Sequence, residues 1–267
     1  MKRLFPLLLL LLAAPASAQT VERAYGPDPR QRLDFTPATR DHAPLVLFIH
    51  GGAWSFGDKR IAAHMAAHFT GQGYAFASIN YRLVPDASVE RQAEDVAAAL
   101  ASLIDRGRPA VLLIGHSAGA HLAALVGTDP RYLAAHRLSL AAIGGVVLLD
   151  GAGYDVPRQM AAAGPLLRRV YVNAFGTDET VQRRLSPLAH AAAPNAAEFL
   201  ILHVASREDS RSQSEALAAA LRAARTPAEV EAVDGTHAQI FRRFGQSGHR
   251  ATELTDAFAR RRFGESR

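Results

Sequence analysis

The 267-residue chain contains no cysteine. That single absence removes disulfides, thiolate nucleophiles and cysteine-ligated metals together. Aromatic residues make up only 7%, with one tryptophan. Histidines number eleven, yet no H-E-x-x-H run occurs. His64 and His68 stand four apart on a helical pattern, but no carboxylate accompanies them at a zinc-binding spacing, so no metal site is expected. Blocks of like charge are also missing. The formal charge is +5, and the basic residues, nearly all arginine, are dispersed, with "RRR" at 260–262 the densest group. A solvated surface accounts for them, and no nucleic-acid partner is expected. Repeats, long linkers and low-complexity tracts are absent.

The one greasy stretch lies at the amino terminus. "MKRLFPLLLLLLAAPASAQT" combines Lys2 and Arg3, a short apolar segment and an Ala16-Ser17-Ala18 site. This is the pattern of a secretory signal peptide, residues 1–18, and is too short to span a bilayer comfortably. Cleavage would leave a chain starting at Gln19, exported to a periplasm or secreted, without stable membrane insertion. Its net charge would be about +3.

Beyond this leader, strand-like and helix-like segments alternate. "PLVLFIH" (44–50), "YAFASINYR" (74–82), "AVLLIG" (110–115), "IGGVVLLD" (143–150), "EFLILHVAS" (198–206) and "AEVEAV" (228–233) read as strands. Helical spacing appears at 61–73, 88–107, 117–127, 212–224 and 249–263; in the second, Val89, Ala93, Val96, Leu100 and Ile104 share a face. Such alternation predicts an α/β fold with a mostly parallel sheet and helices on both sides, within a single domain over 19–267. Residues 151–194 break the rhythm, with helical character but no clear strand. They are too long for a simple connection, and are read as a small cap inserted over the carboxyl edge of the sheet.

Residues 115–119, "GHSAG", lie between a buried strand and an alanine-rich helix. A G-x-S-x-G turn in that setting lifts its serine hydroxyl above the sheet with a helix amino terminus behind it. Ser117 is therefore the candidate nucleophile. A serine needs a base, and the base needs an orienting carboxylate, in the chain order Ser, Asp or Glu, His. Asp209 follows the strand at 198–206 and His237, in "DGTH", follows the strand at 228–233, so both belong to loops at the edge of Ser117. Asp150, at the end of another buried strand, is the competing acid. His116, His121, His203 and His249 compete less well with His237; His203 is read as a core residue and His249 as a surface one. "HGGAW" (50–54) provides a glycine turn whose amides can face a developing oxyanion: Gly52 and Ala53, together with Ala118. His50 is read as a brace for that loop, Trp54 as pocket wall or packing, and "GDK" (57–59) as a surface ion pair of little weight.

"HGGAWSFGDK", "INYRLVP", "EDVAAAL", "GHSAGAHLAAL", "SPLAH" and "DGTH" together resemble the α/β-hydrolases. The likeness is greatest to the branch with HGG oxyanion motifs: hormone-sensitive-lipase-like carboxylesterases, small feruloyl or acetyl esterases, and arylformamidases. The resemblance implies an α/β-hydrolase fold, Ser117, Asp209 and His237 as the catalytic trio, the amides of Gly52, Ala53 and Ala118 as the oxyanion hole, and no cofactor. It implies a small-molecule ester substrate cleaved through an acyl-enzyme. An N-formyl amide is the alternative substrate, and an inactive binding protein on the same scaffold the alternative of another class. Many relatives carry a third glycine where this chain has Ala53, a change that keeps the backbone donor.

Overall fold

The computed structural model describes residues 19–104 and 110–264; the leader read at 1–18 lies outside them. An eight-stranded sheet runs through the molecule in the order β1-β2-β4-β3-β5-β6-β7-β8. The strands are β1 (Val21–Ala24), β2 (Arg32–Thr36), β3 (Leu45–Ile49), β4 (Ala75–Ile79), β5 (Val111–His116), β6 (Ile143–Leu149), β7 (Phe199–Val204) and β8 (Ala228–Val233). β1 and β2 join antiparallel, whereas β4, β3, β5, β6, β7 and β8 are mutually parallel. The six strands expected from sequence are these parallel ones. The two antiparallel strands were not expected, and they carry a correction with them. Lys59 is not a surface residue: it is buried, and its ammonium reaches Glu22 of β1 at 2.8 Å and Asp34 of β2 at 2.6 Å. It pins the edge of the sheet.

Period-2 alternation divides the central strands between two cores. Leu45, Leu47 and Ile49 face one side, and Val46 and Phe48 the other. The first side is covered by α2 (Val89–Leu103), α3 (Ala118–Thr128) and α9 (Glu208–Ala223), through Val96, Leu100, Leu122 and Leu217. The second is covered by α1 (Ala63–Gly71) and α11 (Arg250–Phe263), through Met65, Phe69 and Phe258. All of α3 is buried, which its small, alanine-rich sequence allows. Ser88 caps α2 by accepting the Arg91 amide, the role its side chain suits. His249 is buried as well, against expectation, because its Nδ1 bonds the Thr252 hydroxyl at 2.9 Å at the start of α11.

The chain between β6 and β7 forms four short helices, α5 (Val156–Ala162), α6 (Pro165–Phe175), α7 (Glu179–Arg184) and α8 (Pro187–His190); α4 (Pro130–Ala134) and α10 (Gln239–Arg242) complete the set. α6 turns Tyr171, Ala174 and Phe175 inward, and its Asn173 amide donates to Ser55 Oγ at 3.2 Å. This helix therefore lies over the loop that follows β3, at the carboxyl edge of the sheet.

Candidate active site

β5 ends at His116 and α3 begins at Ala118, leaving Ser117 as the hinge. Its backbone is in the left-handed region, φ 56°, ψ −121°, a strained conformation for serine. The turn closes only because its flanks lack side chains. A Cβ on Gly115 would sit 2.2 Å from the Gly119 carbonyl oxygen, and one on Gly119 would sit 2.1 Å from that of Ile49. Both obstacles are backbone, so neither can move aside cheaply. Strain here is the consequence of the G-x-S-x-G spacing, and its product is an aimed hydroxyl.

Ser117 Oγ lies 3.0 Å from His237 Nε2, and His237 Nδ1 lies 2.6 Å from Asp150 Oδ2. Two of the three residues expected to converge do so, joined by a different acid. Asp209 does not reach His237. The reason is local: α9 starts at Glu208, four residues before the expected helix, and takes Asp209 into its first turn. There its carboxylate accepts from Arg207 at 2.8 Å. Asp150, directly after β6, is 1% exposed and accepts the Val204 amide at 3.0 Å through its other oxygen. Burial pushes this carboxyl up, but the bonds from His237 and Val204 and the Arg207 charge outweigh it and hold the group well below the usual carboxylate range.

Arg207 was not singled out in the sequence, although it sits where the β7 loop emerges. Its guanidinium donates to Asp150 Oδ2 at 2.7 Å and lies 2.9 Å from His237 Nδ1. It thus links Asp150 to Asp209, so the expected acid stands one ion pair behind the observed one.

The neighbouring histidines are used as braces. His50 Nδ1–H donates to the Gly51 carbonyl at 2.7 Å while its ring stacks on Tyr81. His116 Nε2–H donates to the His237 carbonyl at 2.9 Å, fixing the backbone of the β8 loop. His121 Nε2–H donates to the Leu185 carbonyl at 2.8 Å and its Nδ1 accepts from Trp54 at 3.3 Å. Burial holds all three at about 4, so they are neutral and rigid at ordinary pH. His64 Nε2 meets the Phe241 carbonyl, and His68 meets Asp256.

Above Ser117 lies a hollow of about 360 Å³, lined by Ala53, Ala118, Trp54, Leu167, Val170 and Tyr171. Trp54 serves as both wall and packing: it is 4% exposed, with ring centroids 4.7 Å from Phe175 and 5.8 Å from Tyr171. Two of the three expected oxyanion positions, Ala53 and Ala118, face this hollow. Gly52 lines the adjoining one, which also holds His237. Gly52 takes φ +121°, and a Cβ there would meet the Phe56 carbonyl oxygen at 2.2 Å. Ala118 begins a helix, so its amide has no intrahelical acceptor.

Comparison with known proteins gives likenesses of sequence and of fold. Residues 33–136 match the family model BD-FAE. The chain is 31% identical over 197 residues to esterase LipC of Mycobacterium tuberculosis, an alignment covering 67% of this chain and 49% of that protein. It is 32% identical over 106 residues to kynurenine formamidase of Salmo salar, covering 38% and 36%. The chain thus spans about half or less of the curated relatives it matches. Among solved structures, esterase B of Lactobacillus Rhamnosis superposes with TM-score 0.76 at 22% identity, covering 95% of this chain and 88% of that one. Esterase 2 of Thermogutta terrifontis, phosphonylated by sarin, gives 0.77 at 19%, covering 97% and 100%. These structural likenesses speak to the fold.

Proposed function

We propose that this chain, which has an α/β-hydrolase fold and resembles esterases over part of their length, hydrolyses small carboxylic esters through an acyl-enzyme on Ser117. The observation that carries this reading is the continuous line from Ser117 Oγ to His237 at 3.0 Å and from His237 to Asp150 at 2.6 Å. His237 Nε2 takes the hydroxyl proton as Oγ attacks the ester carbonyl. Asp150 holds the ring in the tautomer with Nδ1–H and balances its positive charge. The amides of Ala53 and Ala118, with Gly52 beside them, receive the developing oxyanion. The intermediate collapses, the alcohol leaves with the proton from His237, and the acyl group stays on Ser117. A water molecule then gives its proton to His237 and its oxygen to the acyl carbon, releasing the acid. These steps use protein groups and water alone. We place the protein outside the cytoplasm, on the strength of the leader pattern.

Support for a small acyl group comes from the size of the hollow over Ser117, about 360 Å³, lined by Trp54, Tyr171 and Leu167. The likeness to kynurenine formamidases keeps an N-formyl arylamide as the second substrate to try. The test is stoichiometric labelling of Ser117 by a fluorophosphonate, followed by rates on acetyl, feruloyl and N-formyl substrates. Folded protein that remains unlabelled would leave only a binding role for the scaffold. A rate on p-nitrophenyl esters that climbs beyond about eight carbons would overturn the small-acyl assignment.

A further inference from the structure

We infer that the mouth of this site docks on an anionic lipid surface. Five large apolar side chains are exposed among the described residues, and four of them surround the mouth: Phe56 at 71%, Leu166 at 80%, Ile61 at 44% and Leu167 at 39%. They are neighbours through three adjoining hollows. Phe56 lines both the hollow containing Leu166 and the one containing Ile61 and His237. His237 links the latter to the hollow of Ser117 and Leu167. A cluster of this kind on an otherwise polar surface marks an interaction site.

Charge selects the partner. Arg168 and Arg169 line the Leu166 hollow and Arg242 the Ile61 hollow, and neither of these two hollows has an acidic residue in its wall. Most arginines near carboxylates in this chain are paired, as Arg82, Arg131, Arg207 and Arg211 are. No ion pair is found for Arg168, Arg169 or Arg242 among the described residues. α6 explains the geometry: it buries Tyr171 and Phe175 and so turns Leu166 and Arg169 outward. Apolar tips beside unpaired arginines suit an interface with lipid chains below anionic headgroups.

Two other occupants fit less well. A small ligand would cover one flank of side chains as proud as Leu166 and Phe56, whereas a bilayer interface covers them wholly. A second copy meeting the same face by two-fold symmetry would bring together two walls that carry arginines and no acidic residue, with no carboxylate from either to offset the charge. No helix among the described residues is long and apolar enough to cross a membrane, so the contact is peripheral.

The test is co-sedimentation of the full chain with vesicles of phosphatidylcholine alone, or with about a third of phosphatidylglycerol. Binding is read without turnover, so its failure is separable from failure of the hydrolase reading. Wild-type protein should sediment with the anionic vesicles and be released by salt. Arg168→Gln/Arg169→Gln should weaken partition roughly tenfold or more, and Phe56→Ser/Leu166→Ser should abolish it. Val21→Ser, which removes the fifth exposed apolar side chain on β1, should change nothing. All variants share the same leader, so its contribution cancels. The inference is overturned if wild-type protein stays in solution with both vesicles, or if the two double variants bind as wild type does. It is also overturned if the patch proves to hold a dimer in gel filtration that those variants dissolve while lipid binding is unchanged.

Discussion

Replacing Asp150 by asparagine should disable this site far more than the same change at Asp209, and the charges around His237 say by how much. Asp150 Oδ2 is 2.6 Å from His237 Nδ1 and the Arg207 guanidinium is 2.9 Å from the same atom. At an effective dielectric of about 20, a unit charge at either distance is worth about 6 kcal/mol to an imidazolium, favourable from the carboxylate and unfavourable from the guanidinium. In the wild type the two nearly cancel, with Asp209 adding a more distant negative charge through Arg207. Asp150→Asn removes the favourable charge and leaves the guanidinium, opposed only by Asp209 on its far side, as the nearest charge when His237 takes the serine proton. We expect kcat on p-nitrophenyl acetate to fall about 10⁴-fold with KM little changed. Asp209→Asn leaves Asp150 and His237 in place and should lose about tenfold or less. The double variant Asp150→Asn/Arg207→Met, which removes both charges, should recover part of the loss, about tenfold or more. Fluorophosphonate labelling rates, which also need the base, should follow the same order. Equal losses at Asp150 and Asp209, or a double variant slower than Asp150→Asn alone, would refute the reasoning.

Three further outcomes follow from the packing. His50, His116 and His121 are held at about 4 by burial against an ordinary 6.5; between those values the unfolded chain binds more protons, so stability falls as pH drops through the window. Each should contribute roughly 2 kcal/mol of loss by about pH 5, seen as a lower urea midpoint than at neutral pH, and a flat midpoint would contradict the burial argument. Gly119→Ala sets a methyl against the Ile49 carbonyl oxygen and should yield insoluble protein or folded protein without labelling; wild-type rates would show the turn is not as tight as described. Trp54→Ala empties a buried contact with Phe175, Tyr171 and His121 and should lower unfolding free energy by about 3–5 kcal/mol, read from denaturant midpoints.

The parallel sheet, the serine turn and the histidine loop were legible because each rests on a strong local pattern. "VLLI" before "GHSAG" reads as a doubly buried strand, and the glycines around Ser117 meet backbone. β1 gives no such signal, and in β2 the alternation of "RLDFT", with Leu33 and Phe35 buried, spans only five residues. β1 is exposed along its whole length and carries "VERA", so the alternation that announces a half-buried strand is missing. Without those strands the partners of Lys59 are hidden, and ion pairs made by a buried ammonium to carboxylates at the sheet edge look like surface ones. His249 failed for a similar reason: a histidine ahead of a helix reads as exposed until the Thr252 hydroxyl that receives it is known.

The acid was illegible for a different reason, one of distance across the sheet. Asp150 and Asp209 both follow buried strands, and chain order favours neither. Strand order decides. β5, which ends just before Ser117, has β6 as its immediate neighbour, then β7, then β8. His237 follows β8 and must reach back over the ends of two strands to meet Ser117. The first strand end beside the serine carries Asp150, so its carboxylate lies under the imidazole. The next carries Arg207, which fills the space between β6 and β8 and joins Asp150 to Asp209. Had residue 207 been small or acidic, the β7 loop could have supplied the carboxylate itself. An arginine there cannot, and instead it leaves the β6 aspartate to balance the imidazolium charge while tying the β7 aspartate to it from behind.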